Sequence, residues 1–341
     1  MTGKRIGVLG GGAWGSALAI HWATRSHDVR QWVRGAERAA DIQAVRENRS
    51  YLPGVPYPPE LRVDHRISEV VEGAEIVVVA VPTQFARPIY RELATVCPVD
   101  IPVLVTCKGV EHDSLKLPAE VCAAEMGAAR GIAVLAGPSF ARELAAGKPT
   151  AVAIASADAE LSRDLQLSLA SRSLRLYTNG DPVGVQLAGA LKNVIAIAVG
   201  VTQGLDMGAN AAAGLIARGL GEISRLGVAL GGRVETFQGL AGIGDLVLTC
   251  YGEESRNRRY GYLLGSGVPR EEIDARLSGI AEGVATSKAA RTLAQEHDVV
   301  APIIDETCRV LFEDVRPQDA VKRLLSRPLI SEDIVERGRT K

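Results

Sequence analysis

Two hydrophobic rhythms divide the chain. Up to about residue 178, short β-branched runs alternate with stretches that read as helices: IGVL at 6–9, VRQWV at 29–33, EIVVVA at 75–80, PVLVT at 102–106, IAVLA at 132–136 and AVAIA at 151–155. Continuous apolar strands separated by helices predict a mostly parallel sheet buried on both faces, a doubly wound α/β arrangement. The longest interruption, 48–59, carries four prolines and two tyrosines. That content forbids a helix and predicts an ordered surface loop.

Beyond Tyr177-Thr-Asn-Gly the period changes from strand-like to helical. Asp181-Pro182 suits an N-cap followed by a first-turn proline. Helices are predicted over 182–203, 209–227, 256–265, 270–277, 284–297, 302–312 and 317–324, while β-branched runs nearly vanish. The predicted division is therefore an α/β domain over 1–179 and an all-α domain over 180–341, with no internal repeat or low-complexity tract.

Composition narrows the classes. A chain of 341 residues is long enough for two domains, and 47% apolar content argues for packed cores rather than disorder. With 39 basic and 40 acidic side chains there is no net field to recruit nucleic acid or an anionic membrane, so any anion site must be local. Partners are expected to be small molecules. Cys97, Cys107, Cys122, Cys250 and Cys308 are widely spaced, with no C-x-x-C pair and no nearby His cluster. This predicts no metal site and a reducing, cytoplasmic setting. The uncharged run from Ile6 to Thr24 is long enough to span a membrane, but glycines interrupt it and no signal-peptide layout precedes it, so no span is expected.

Gly10-Gly11-Gly12-Ala13-Trp14-Gly15 matches G-x-G-x-x-G directly after a predicted strand and at the opening of a predicted helix. Glycines at those places allow a tight turn, close approach of a pyrophosphate and close helix–sheet contact, with free N–H groups to bind anionic oxygen. The context makes 1–179 a Rossmann-type dinucleotide-binding domain, with a non-binding glycine turn as the alternative. An NAD-selective site would carry an acid at the end of the second strand. VRQWV ends instead in Arg34, which suits a 2′-phosphate and leans toward NADPH, although an ordinary solvated arginine remains open.

Lys192 is the only charge between Asp181 and Asp206, in the middle of QLAGALKNVIAIAVG. A lysine buried there would have a depressed pKa and could exchange a proton near neutrality; alternatively its stem carries the ammonium to solvent. Asp245 is isolated in the same way within GLAGIGDLVLT. A buried carboxylate requires a partner, and a lysine is the natural one. Ser255-Arg256-Asn257-Arg258-Arg259 lies at a predicted helix start and suits a phosphate cradle; a solvated basic helix end is the plain alternative. Cys107-Lys108-Gly109 and Gly137-Pro138-Ser139 follow predicted strands at their carboxyl ends, where ligands gather in such sheets.

Taken together, GGGAWGSALA, CKGVE, AGPSFARELAAG, VQLAGALKNVIAIAVG, GLAGIGDLVLTC and SRNRRYG make a set that resembles the bacterial-type NAD(P)-dependent glycerol-3-phosphate dehydrogenases over nearly the whole chain. The resemblance implies that Lys192 is the proton donor or acceptor. It implies substrate contacts from Lys108, Gly137, Ser139, Asp245, Ser255, Arg256 and Asn257. The cofactor, NADP or NAD, would meet Ala13, Trp14, Arg34, Lys108, Ala141, Arg256, Ile280 and Glu282, beside Gly10, Gly12 and Gly15 of the glycine motif. The implied reaction is reversible reduction of dihydroxyacetone phosphate to sn-glycerol 3-phosphate, feeding glycerophospholipid synthesis. A homodimer is left open. One departure stands out: Ala212 occupies a place where the family usually has a lysine or arginine, so either substrate affinity or a surface ion pair is affected. The tail after about residue 313 matches no motif.

Two other readings remain at this point. A related two-domain reductase of another keto acid would need a carboxylate clamp. A nucleotide-sensing protein that had lost catalysis could discard Lys192.

Overall fold

The computed structural model describes residues 3–128, 130–277 and 279–329. Two compact units result: one holds the chain up to Lys108 together with Lys116–Pro182, the other Gly109–Leu115 and the chain from Val183 on.

In the first unit the elements run β1 (Arg5–Leu9), α1 (Ala13–Ala23), β2 (Asp28–Trp32), α2 (Ala36–Val45), β3 (Arg62–Asp64), α3 (Ile67–Val71) and β4 (Ile76–Val79). There follow α4 (Ala86–Val96), β5 (Val103–Val105), α5 (Pro118–Met126), β6 (Ile132–Ala136), α6 (Ala141–Ala145), β7 (Thr150–Ala155), α7 (Ala159–Leu169) and β8 (Leu174–Asn179). Among the described residues the eight strands form one sheet in the order β3-β2-β1-β4-β5-β6-β7-β8. Strands β1 to β6 pair in parallel, and the all-buried IVVV of β4 shows why these runs are continuously apolar: helices cover both faces.

The AVAIA strand departs from the parallel set. β7 pairs antiparallel with β6, and β8 follows β7 in parallel. The β6–β7 connection contains only the five-residue α6, too little for a full crossover, whereas α7 with its 11 residues makes one between β7 and β8. β3 and β8 were not foreseen. The first has three residues with one apolar centre, and the second alternates buried and exposed positions as a sheet-edge strand does.

The 48–59 segment contains no helix, as expected, but it is more than surface. Asn48, Leu52 and Tyr57 are all buried, and Leu52 and Tyr57 join the main core with Trp22, Ile42 and Leu61. The uncharged Ile6–Thr24 run resolves into β1, the glycine turn and α1.

The second unit is helical: α8 (Pro182–Gly204), α9 (Gly208–Ala229), α10 (Val234–Phe237), a π-turn over Leu240–Gly244, α11 (Asp245–Tyr251) and α12 (Arg256–Gly265). It continues with α13 (Arg270–Arg276), α14 (Glu282–Glu296), α15 (Pro302–Phe312) and α16 (Pro317–Leu325). α8 is long and apolar enough to cross a membrane, but 89% of its most apolar window is buried inside the protein. It packs backbone to backbone on α12. A Cβ on Gly261 would come within 1.9 Å of the Ile197 carbonyl oxygen, and one on Gly200 within 2.0 Å of that of Arg258. Two glycines thus let α12, which carries the Arg256 cluster at its start, lie against the helix that carries Lys192.

Candidate active site

The glycine turn does three separate jobs. Gly10 sits at φ +148°, and a Cβ there would meet the Ala80 carbonyl at 2.4 Å; one on Gly15 would meet the Gly10 carbonyl at 2.3 Å. These two positions set the turn and the close approach of α1 to the strand ends. At Gly12 a Cβ would meet nothing within 4 Å, so the space beside it is open to a ligand. Gly12 is also the N-cap of α1, with no side-chain acceptor and no acidic residue in the first turn. The leading N–H groups at Ala13, Trp14 and Gly15 therefore favour an anion. An 11-residue helix opening on a turn of this shape fits the diphosphate of a dinucleotide. Trp14 is partly buried with its indole N–H unpartnered.

Arg34 lies exposed just past β2, before Gly35 at φ +94°. No acid occupies that strand end. At the carboxyl ends of adjacent strands β5 and β6, Lys108 and Ser139 converge on one atom: Lys108 Nζ donates to the Gly137 carbonyl at 3.3 Å and Ser139 Oγ at 2.9 Å. Gly137 sits at φ +150°, and a Cβ there would lie 2.9 Å from Val152 Cα. Ala141 opens α6, which packs on α1.

In the helical unit Lys192 does not reach for solvent. Its ammonium is buried 3.0 Å from Asp245 Oδ1 and 2.5 Å from Thr249 Oγ1. Thr249 Oγ1 in turn donates to the Asp245 carbonyl at 2.6 Å. Asp245 is the first residue of α11, directly after the π-turn, and Gly242 in that turn is pressed against the Phe237 backbone. Such turns re-aim the residue that follows them. Thr249 is not marked out in the sequence as Lys192 and Asp245 are, by an isolated charge. The signal was its i+4 spacing from Asp245, which places both on one helix face. Beside this pair, burial pushes the Cys250 thiol up to about 12, so it stays neutral.

Ser255 caps α12, its hydroxyl accepting from Arg258 N–H at 3.2 Å. Arg258 is committed inward, to the Gly252 carbonyl and Gln203 Oε1. Arg256 is exposed, and a Cβ on Gly279 would come within 2.6 Å of its guanidinium. Asn257 Oδ1 accepts from Gly283 N–H at 2.9 Å, joining the start of α12 to that of α14. Glu282 is the first residue of α14, and Ile280 is an exposed side chain just before it. A Cβ on Gly283 would lie 2.6 Å from the Asn193 carbonyl, so α8, α12 and α14 meet next to Lys192. Ala212, on α9, is buried, so its place is not on the surface. Among the described residues no group of three or more His, Cys, Asp or Glu side chains could hold a metal.

The model of the NAD-dependent glycerol-3-phosphate dehydrogenase N-terminus matches residues 5–162, and that of the C-terminus matches 181–322. A glycerol-3-phosphate dehydrogenase [NAD(P)+] from Thiobacillus denitrificans is 45% identical over 96% of this chain and 99% of its own length. One from Aromatoleum aromaticum is 46% identical over 95% and 98%. The crystal structure of the Coxiella burnetii glycerol-3-phosphate dehydrogenase superposes with a TM-score of 0.91 at 39% identity, covering 95% of this chain and 99% of its own. With both halves matched and relatives aligned end to end, the chain belongs to the NAD-dependent glycerol-3-phosphate dehydrogenase family.

Proposed function

We propose that this chain catalyses the reversible, NAD(P)H-dependent reduction of dihydroxyacetone phosphate to glycerol 3-phosphate, preferring NADPH, with Lys192 as acid and base. The observation that carries the reading is the buried Lys192–Asp245–Thr249 cluster, in a chain whose relatives bear that enzyme name. A lysine in an apolar helix is costly unless paired, and its retention with a carboxylate and a hydroxyl argues for use rather than packing.

When bound, a nicotinamide would supply the hydride that the carbonyl carbon accepts. Lys192 delivers a proton from Nζ to the carbonyl oxygen, and in the reverse direction removes it from the secondary hydroxyl. Asp245 and Thr249 fix the direction of Nζ, so the proton is aimed before the substrate arrives. Lys108 polarises the oxygen, with Gly137 and Ser139 shaping its surroundings. Arg256 holds the phosphate, with Ser255 and Asn257 beside it, through charge-assisted hydrogen bonds. Gly10, Gly12, Ala13, Trp14 and Gly15 would hold the diphosphate and Arg34 the 2′-phosphate, and Ala141, Ile280 and Glu282 would be the remaining cofactor residues. All five cysteines are buried and none is joined in a disulfide, which fits a cytoplasmic setting. A homodimer is compatible with this reading.

Lys192→Met keeps the stem and removes the proton. Its kcat should fall by about a hundredfold or more while NADPH still binds, as titration of the variant checks. Turnover close to that of the wild type removes Lys192 from the chemistry.

A further inference from the structure

Beneath the glycine turn lies a buried polar network that the dinucleotide reading does not use. Gln31 on β2 donates from Nε2 to the Gly10 carbonyl at 2.7 Å and to Ser16 Oγ at 3.2 Å. Asn48 donates from Nδ2 to the Gly11 carbonyl at 3.0 Å and to Ser16 Oγ at 2.8 Å. Tyr57 closes the ring: its hydroxyl donates to Gln31 Oε1 at 2.9 Å and lies 2.8 Å from Ser16 Oγ. Arg38 on α2 adds a second donor to the Gly11 carbonyl, sits 3.4 Å from Asn48 Oδ1, and stacks over the Tyr51 ring at 4.7 Å.

Peptide planarity gives this arrangement a directional consequence. In a trans peptide the carbonyl and the following N–H point opposite ways. Drawing the Gly10 carbonyl inward turns the Gly11 N–H outward, and holding the Gly11 carbonyl turns the Gly12 N–H the same way. The donors that pull are buried: Gln31 is 0% and Asn48 1% exposed, so both N–H groups face away from the core. Space for a ligand is present at the turn, since a Cβ on Gly12 would meet nothing within 4 Å. A glycine-rich turn is otherwise free to flip its peptides, and preorganising donors removes that entropic cost from binding.

We propose that Gln31, Asn48, Tyr57 and Arg38 are positioning residues for the diphosphate of the dinucleotide, and that the proline-rich 48–59 segment is retained because it delivers two of them. This rests on the cofactor reading above. The proline content has a matching logic: Pro53, Pro56, Pro58 and Pro59 stiffen a segment that must hold Asn48 and Tyr57 in register without secondary structure. The isolated bridge between Glu47 and Pro56 closes it. Burial raises the Tyr57 phenol above its ordinary value, so it remains a donor.

The test is calorimetric titration of the full-length protein, wild type, Tyr57→Phe and Asn48→Ala, with NADPH, NADH and ADP, and with thermal unfolding to verify folding. Tyr57→Phe removes one oxygen from a packed ring and keeps its volume. The expected result is that Kd rises about three- to tenfold for all three ligands by the same factor, since each carries the same diphosphate. Asn48→Ala should give the larger rise. At saturating NADPH, kcat should stay within about twofold of wild type, placing the loss in KM alone. A purely structural role would lower Tm and leave the Kd of the folded protein unchanged, and that result overturns the proposal. If the wild type binds neither NADPH nor NADH, the cofactor reading falls and takes the proposal with it. Binding by the wild type with equal binding by folded variants overturns the proposal alone.

Discussion

Lys192 and Asp245 were legible as single residues because each stands alone in a long neutral stretch, and a charge that evolution leaves in an apolar helix must meet something. The structure supplies what it meets: each is the other's partner at 3.0 Å. Thr249 could not be found in the same way. A threonine in a helix commonly bonds the carbonyl four residues back, as this one does, and its nearness to Lys192 depends on the phase that the π-turn gives α11. Arg34 is the residue whose role can be read most selectively. Arg34→Ala should raise KM for NADPH about ten- to a hundredfold, the span of a lost charged hydrogen bond, and leave KM for NADH nearly unchanged. Equal losses with both cofactors, in parallel steady-state assays, would assign Arg34 to the fold or the diphosphate.

Among elements, the long helices were legible and the short connectors were not. The 182–203 and 302–312 predictions lie within a residue of α8 and α15, because an apolar helical period and an N-terminal proline mark both. The π-turn and α11 were missed: GLAGIG has no helical period, and its conformation is set by Gly242 against Phe237. The 48–59 segment is a non-helical, mostly exposed loop, as its prolines predict, but they report backbone and say nothing of the inward placement of Asn48, Leu52 and Tyr57.

One element-scale contact has a measurable pH signature. Glu222 on α9 caps α15 from the side, its carboxylate accepting from Ile303 N–H at 2.8 and 3.0 Å and Ile304 N–H at 3.1 Å. Burial outweighs those donors and pushes its pKa up from 4.5 to about 7. Folding therefore favours the protonated acid, and its stabilising contribution is present below pH 4.5 and is lost as pH rises through about 7. The size is on the order of a few kcal/mol. In Glu222→Gln the fall in stability from about pH 5 to pH 8 should be visibly shallower than in wild type by denaturant unfolding. Identical slopes would show that Glu222 does not titrate in that window.

For the whole molecule, charge balance carried the functional argument. With 39 basic against 40 acidic side chains, an anionic substrate cannot be drawn by the overall field, so it needs a local cluster. The start of α12 is such a cluster, but the structure divides its arginines: Arg258 is spent inside the fold, and Arg256 and Arg259 are exposed. That division was invisible in Ser-Arg-Asn-Arg-Arg, where the three look alike. The family resemblance singled out Arg256, and its exposure is what a phosphate ligand requires. Arg256→Lys should keep the charge and give up the second of the two parallel hydrogen bonds proposed to the phosphate. Phosphate recognition at Arg256 can be read in a single spectrophotometric experiment. NADPH oxidation is followed with dihydroxyacetone phosphate and with unphosphorylated dihydroxyacetone, in wild type and Arg256→Lys. The expected result is rapid turnover of the phosphorylated substrate by the wild type, a drop of about tenfold or more in kcat/KM for it in the variant, and a weak rate with dihydroxyacetone that the substitution hardly changes. Comparable wild-type rates with both substrates, or the same fractional loss for both in the variant, would contradict it.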